Sequence, residues 1–257
     1  MKSFAAFALE DFPLIESGDD IAEIIVRTAR KNDLKIEEGD VIVAAQKIFS
    51  KAEERVMSLK AVVPSKKAEE VAKKTGKCAK FVELVLEETR SLLKASTETL
   101  LVRDKRGLIC INAGIDKSNV EGRGNFALLP EKPDESADEC RRKIKELTGK
   151  NVALIMCDTY SRPFRRGQVN FAIGLSGIKP FKDYRGKKDL FGQTLKVKNV
   201  AVADEIAAAA ELLMGQAREG RPVIIFRGLD DLVEFCEKCS SSRLHISSKQ
   251  DLFRNTL

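Results

Sequence analysis

The chain has 257 residues, 43% of them apolar and 33% charged, which is enough for a core that needs no disulfide or metal staple. Its 45 basic and 39 acidic residues leave a net charge of +6, a mild bias that excludes a polyelectrolyte and suits an anionic small molecule as well as nucleic acid. No run approaches the roughly 20 apolar residues of a membrane span, and Glu10 and Asp11 fall where a signal peptide needs an apolar core, so a cytoplasmic protein without a membrane partner is expected.

In chain order, Pro13, Leu14 and Ile15 read as a turn, and Asp19 or Asp20 caps a helix with Ile21, Ile24, Ile25 and Thr28 on one face. Gly39 and Asp40 turn the chain into an all-apolar strand over residues 41–45. That strand stops at the polar cluster Gln46, Lys47, Ser50 and Lys51, and in open α/β sheets ligands bind at such strand ends. Residues 65–94 have the spacing of two helices, with Ser65 as N-cap, Gly76 near the end of the first, and Phe81, Leu84, Val85 and Thr89 along the second. The lysines of these helices alternate with glutamates and lack stacking aromatics, which favours a solvated face over a nucleic-acid surface.

Residues 97–102 and 108–111 read as a hairpin feeding Asn112, Gly114, Asp116, Ser118 and Asn119. These residues suit either cation-binding oxygens or an ordinary Asx-type turn, and the segment alone leaves both open. Ser136 with Glu139 reads as a capping box opening a helix that Gly149 ends. Residues 152–157 then form a buried strand that delivers Asp158 and Thr159 to its end, beside Arg162, Arg165 and Arg166. Oxygen ligands there suit a divalent metal and guanidinium groups suit phosphate.

Residues 168–178 read as a glycine-interrupted strand in which Gly174 and Gly177 permit a bulge or close backbone approach. A polar turn at 182–186, a strand at 195–200 and an alanine-rich helix at 203–215 follow. The polar loop 216–222 either wraps a phosphate or connects to the strand at 223–226; length alone favours connection. Residues 240–257 read as an arm-like tail.

The six cysteines are scattered and read as reduced. Cys236 and Cys239 form a C-x-x-C, but with His245 as the sole histidine they lack the four ligands of a structural zinc site. One histidine in a polar tail also argues against a catalytic triad. Neither a P-loop nor a Rossmann fingerprint occurs.

Taken together these segments resemble the coenzyme F420-0:γ-glutamyl ligase family, collinearly from Pro13 to Gly228. The motifs are P-L-I-x-x-G-D-D at 13–20, G-D-V-I-V-x-x-Q-K-I-x-S-K-A at 39–52, N-A-G-I-D-x-S-N at 112–119 and D-T-x-x-R-P-F-R-R-G-Q-V at 158–169. They continue with A-I-G-x-S-G at 172–177, D-Y-R-G at 183–186, V-A-D-E-I-A-A-A-A-E-L-L-M-G-Q at 202–216 and R-G at 227–228, and D-L-F-R at 251–254 closes the set. Many members have glycine where Ser161 stands, and residues 229–250 lack clear family patterning. The resemblance implies an α+β fold of two interwoven lobes with mixed sheets, one ligase domain over 1–257, and an intertwined homodimer.

It also implies a ligase that consumes GTP to add L-glutamate through γ-linkages to F420-0, with two magnesium or manganese ions and potassium as a candidate addition. The metals would be held by Asp116, Asp158, Thr159 and Gln216. GTP would be contacted by Pro13, Leu14, Ile15, Gln46, Lys47, Lys51, Asn119 and the loop from Met214 to Arg221, including Gly215, Arg218 and Gly220. Our own reading of the residue chemistry adds Arg165 as a catalytic candidate that holds substrate phosphate or carboxylate. The alternatives are a γ-glutamyl ligase for a folate or other pterin-like acceptor, and a non-catalytic nucleotide- or nucleic-acid-binding module.

Overall fold

A computed structural model describes residues 1–97, 99–247 and 249–251; of the D-L-F-R match, residues 252–254 lie outside them. In chain order the elements are β1 (Ala5–Ala8), α1 (Ile21–Lys31), β2 (Val41–Ala45), α2 (Gln46–Ala52), β3 (Val56–Ser58), α3 (Lys66–Thr75), α4 (Ala79–Glu87), β4 (Thr89–Ser96), β5 (Thr99–Asp104), β6 (Ile109–Ile111), β7 (Asn125–Ala127), α5 (Pro133–Thr148), β8 (Ala153–Arg162), β9 (Arg165–Ser176), β10 (Lys182–Asp183), β11 (Asn199–Val200), α6 (Val202–Met214) and β12 (Val223–Arg227). The fold is α+β with mixed sheets. Two compact units divide the chain. One takes Met1–Leu14, Asp20–Ala45 and Pro133–Leu244, and the other takes Ile15–Asp19, Gln46–Lys132 and the residues from His245 onward.

The first unit is built on a five-stranded sheet ordered β1-β12-β2-β8-β9, in which β2 and β8 run parallel and every other pair is antiparallel. The continuous apolar runs of β2, β8 and β12 follow from this position, because a central strand covered on both faces has no use for polar alternation. Val41, Val43, Ala153, Ile155, Cys157, Ile224 and Phe226 point to the face packed by Ala203, Ile206, Ala207, Ala210 and Met214 of α6. Ile42, Leu154, Met156 and Ile225 alternate to the opposite side and are fully buried as well. Helix α1 begins where its cap was expected: Asp20 accepts from the Glu23 amide, and Ile21, Ile24, Ile25 and Thr28 are buried.

Several expectations shift. Helix α5 starts at Pro133, not after Ser136, because proline loses no hydrogen bond at the first helical position and Asp134 and Glu135 favourably occupy the first turn. Asp134 accepts from the Leu175 amide and from Ser240 and Ser241, so residues 240–244 are fastened to the sheet and are no free arm. The expected strand at 195–200 shrinks to Asn199–Val200, paired with Lys182–Asp183. Strand β8 does not stop at Asp158; it continues to Arg162, because β9 pairs with it along its whole length and Pro163 and Phe164 form the hairpin tip. Cys236 and Cys239 are joined, contrary to the expectation of reduced thiols, and Cys78, Cys110, Cys140 and Cys157 form no disulfide.

Gly174 shows the close approach that its position suggested. A Cβ there would lie 2.6 Å from the carbonyl carbon and oxygen of Pro133, so the absence of a side chain lets the start of α5 sit on β9. Gly174→Ala is expected to destabilise the protein by about 1–3 kcal/mol, the usual cost of overpacking a filled interior. A lowered urea midpoint at unchanged slope would register it.

The second unit pairs β4, β5 and β6 in an antiparallel sheet and β3 with β7 in a ribbon. Ser65 caps α3 by accepting from the Ala68 amide, and Gly76 ends it in the left-handed conformation. Helix α4 ends at Glu87, and Thr89 opens β4 instead of extending the helix, because pairing with β5 outweighs the helical spacing of residues 81–89. A buried ionic cluster lies here. Arg106 donates through Nε to Asp104 at 2.7 Å and through Nη2 to Glu88 at 2.9 Å. Arg55 Nη2 lies 2.9 Å from the same Glu88 oxygen, near enough for ion pairing but poorly aligned for a hydrogen bond.

Candidate active site

In the first unit three elements deliver oxygen groups to one place. Asp158 and Thr159 lie side by side in β8, where a register shift after Met156 interrupts the regular pairing with β9. Asn170 comes from β9, and Glu211 and Gln216 come from the last turn of α6 and the residues just after it. The Thr159 hydroxyl donates to Asn170 Oδ1 at 2.8 Å and accepts from Gln216 Nε2 at 2.9 Å. The second amide hydrogen of Gln216 goes to Glu211 Oε1 at 2.7 Å, while Glu211 Oε2 accepts from the Asn170 main-chain N–H at 2.8 Å. Burial pushes the neighbouring Cys157 thiol up, and the Asp158 and Glu211 carboxylates push it further, so Cys157 is an inert core thiol.

Gly215 makes the exit from α6 possible. Its φ of +68° is strained for a side-chain-bearing residue, and a Cβ there would meet the Glu219 carboxylate at 2.3 Å. Glu219 folds back to accept from the Ala217 amide at 2.8 Å, which orders the loop carrying Gln216, Arg218 and Gly220. Met214, expected to contact a nucleotide, has its side chain in the core, 4.0 Å from Cys157 through sulfur, so only its main chain is offered outward.

The second unit carries a different cluster. Lys47 and Lys51 lie one turn apart on α2. The Lys47 ammonium donates to Asp116 at 2.7 Å and to the Ser118 carbonyl and hydroxyl at 2.8 Å each. The Ser118 hydroxyl and amide also donate to Asp116. Burial pushes the Asp116 carboxyl up, but the bonds from Lys47 and Ser118 outweigh it and hold the group below the ordinary carboxylate range. Burial and the nearby Lys47 charge pull Lys51 below a usual lysine, partly offset by Glu121. Among the described residues Lys51 has no carboxylate within 4.0 Å. The turn at Asn112 and Ala113 and again at Asn119 uses left-handed backbone, as a tight oxygen-rich loop requires.

Other expected site residues are distributed as follows. Leu14 is exposed, Ile15 is buried, and Gln46 is only 1% exposed, its Oε1 accepting from Ser50 while its amide nitrogen lacks a partner. Arg165 and Arg166 are exposed beside the β8–β9 tip, where Phe164 is 90% exposed, and Arg162 Nη2 donates to the Arg166 carbonyl at 3.3 Å. A cavity of about 280 Å³ in the first unit, lined by Phe4, Tyr184, Ile206, Phe226 and Val233 among others, includes none of the expected residues. Glu211 and Asn170 were not foreseen. Asn170 had a weak signal in the sequence, a polar residue set between Val169 and Phe171, and Glu211 had none.

The donor chemistry fits a hard divalent cation only in part. Around Thr159 it is oxygen: a hydroxyl with one lone pair left and the Gln216 amide carbonyl, with the Glu211 carboxylate bonded behind them and Asp158 the preceding residue of β8. Asp116 is taken up by Lys47 and Ser118, so a cation there would have to displace the lysine. Among the described residues no group of three or more His, Cys, Asp or Glu side chains forms a metal-binding cluster.

A family model described as F420-0:Gamma-glutamyl ligase matches residues 11–228. The chain is similar to the coenzyme F420:L-glutamate ligase of Archaeoglobus fulgidus, 46% identical over 98% of this chain and 96% of the relative. It is also similar to proteins of the same name from Methanopyrus kandleri, 42% identical over 99% of this chain and all of the relative, and from Methanocaldococcus jannaschii, 40% identical over 95% of each. With the family model covering most of its length and relatives aligned nearly end to end, the chain belongs to the F420-0:gamma-glutamyl ligase family.

Proposed function

We propose that this protein joins L-glutamate to coenzyme F420-0 through a γ-linkage and consumes GTP in doing so. Amide formation from a carboxylate at neutral pH needs an activated acyl group. The γ-phosphoryl group passes to a carboxylate oxygen of F420-0, giving an acyl phosphate and GDP. The glutamate amine then attacks the carbonyl carbon, the C–N bond forms, inorganic phosphate leaves, and the amine loses a proton. In such a reaction the protein chiefly positions and neutralises charge, so the single, peripheral histidine is no handicap.

The observation that carries this reading is the hydrogen-bonded oxygen cluster of Thr159, Asn170, Glu211 and Gln216 at the end of α6, with Asp158 the residue before Thr159 in β8. Bound magnesium or manganese ions supply positive charge to the triphosphate. In this reading Asp158, Thr159 and Gln216 are the proposed metal ligands of the first unit and Asp116 is that of the second. Lys47 and Lys51 suit phosphate; Lys51 gains a counter-charge when an anion binds, which favours its protonated form. Arg165, exposed in β9, is proposed for the anionic acceptor. Action in the cytoplasm as a homodimer belongs to the same reading. Among the described residues no helix is long and apolar enough to cross a membrane.

The test is acceptor-resolved. Purified protein is incubated with glutamate, GTP or ATP, magnesium or manganese, and either F420-0 or a folate, and the products are weighed. Addition of one or more glutamyl units to F420-0 with GTP alone is expected. Addition to the folate alone would replace the acceptor, and GTP-independent RNA binding without any ligation would replace the enzyme reading altogether.

A further inference from the structure

We propose that Glu211 is a positioning residue that fixes the amide orientation of Gln216 and, with Asn170, the hydroxyl orientation of Thr159. The inference rests on the reading above, in which Thr159 and Gln216 present oxygens to a divalent cation. A carboxylate only accepts hydrogen bonds. Glu211 Oε1, at 2.7 Å, therefore forces the NH2 end of Gln216 inward, and the amide carbonyl must face away. Among the described residues that carbonyl oxygen has no donor.

The same constraint runs on through Thr159. Because Gln216 Nε2 already donates to Oγ1, the hydroxyl proton must go elsewhere, and Asn170 Oδ1 takes it at 2.8 Å. Asn170 is itself held: its amide nitrogen faces the sulfurs of Cys157 and Met214 at 3.4 and 3.7 Å, and its main-chain N–H is bound by Glu211 Oε2 at 2.8 Å. All bonds therefore point one way, from Gln216 to Glu211 and from Gln216 through Thr159 to Asn170. The result is one free lone pair on Thr159 and a free carbonyl on Gln216, set before any cation arrives. Reversing the Gln216 amide would place its oxygen against the Glu211 carboxylate, which the charge forbids.

Partners behind a metal's direct ligands commonly change affinity 10- to 100-fold when removed. Binding of Mn2+ alone to the full chain, read from loss of the free-ion electron paramagnetic resonance signal, is the measurement. Glu211→Gln supplies only one acceptor where the carboxylate supplies two, so it is expected to weaken Mn2+ binding roughly tenfold or more. In a Gln216→Ala background the same change is expected to have a much smaller effect, because the amide orientation it sets no longer exists and only its hold on Asn170 remains. Glu211→Asp, which keeps the charge but withdraws the carboxylate by one methylene, is expected to show the loss too. Circular dichroism melting checks that each variant is folded.

A Glu211→Gln or Glu211→Asp protein that binds Mn2+ as well as the parent overturns the proposal. So does a Glu211→Gln loss that persists undiminished without Gln216, since that would mark a direct charge effect. If Thr159→Ala and Gln216→Ala themselves leave Mn2+ binding unchanged, it is the metal-ligand reading beneath the proposal that fails.

Discussion

Asp158→Asn is expected to abolish glutamate ligation, with a loss of about 100- to 1,000-fold, while the folded protein keeps its melting temperature within a few degrees. The substitution preserves shape and removes one negative charge. Asp158 is half-buried in β8, opposite Phe171, and the main-chain pairing that holds β8 to β9 does not involve the carboxylate. What disappears is the one carboxylate adjacent to Thr159 in the strand, and a hard cation depends on such charge for its affinity. Glutamyl addition followed by mass spectrometry at saturating substrates, alongside Mn2+ binding, reads both consequences. A variant within threefold of the parent would show that this carboxylate is dispensable and would move the chemistry to the cluster around Asp116.

The second large effect is expected on stability. Glu88 is 6% exposed on its side chain, Arg106 8%, and Asp104 fully buried; Glu88 is shared by Arg106 and Arg55. Among the described residues, Glu88→Ala leaves Arg55 with only the exposed Glu131 as a carboxylate partner and strips Arg106 of one of two. Breaking a buried pair from one side costs about 3–5 kcal/mol, because the remaining charge is neither solvated nor matched. Urea denaturation should show that loss as a lower midpoint.

The pH dependence has a definite sign. Burial pushes Glu88 up, but Arg55 and Arg106 together hold it below its ordinary value of 4.5. Its contribution is therefore complete above about pH 4.5 and is lost as pH falls through the depressed folded value. In Glu88→Gln this part of the acid sensitivity should disappear. A parent and variant with parallel stability profiles below pH 4.5 would contradict the assignment.

Much of both units was legible in the sequence because many of their elements are specified locally. Asp20, Ser65 and Gly76 act as caps through bonds within four residues, and β2 is announced by an uninterrupted apolar run. Errors arose where a distant partner decided the outcome. Thr89 left the helical pattern to pair with Asp104, and β8 ran past Asp158 because β9 followed it residue by residue. Strand β1, between an exposed start and Pro13, exists through pairing with β12 and has little local signal. At the candidate site, Asp158, Thr159 and Gln216 stood out by type and by family motif. Glu211 looked like one more surface glutamate on a helix, since nothing local reveals that its two oxygens face Gln216 and Asn170.

The order of the five-stranded sheet also governs the birth of the protein. Val41 of β2 pairs with Ala153 on one side and Phe226 on the other, so both neighbours of this all-apolar strand are made long after it leaves the ribosome. Until then Val41–Ala45 is an unpaired, sticky edge on a growing chain, and the non-local closures that bury it are slow by nature. Assembly of this sheet is therefore a late, near-final event of synthesis, and β2 has neither neighbour while residues 46–152 are being made.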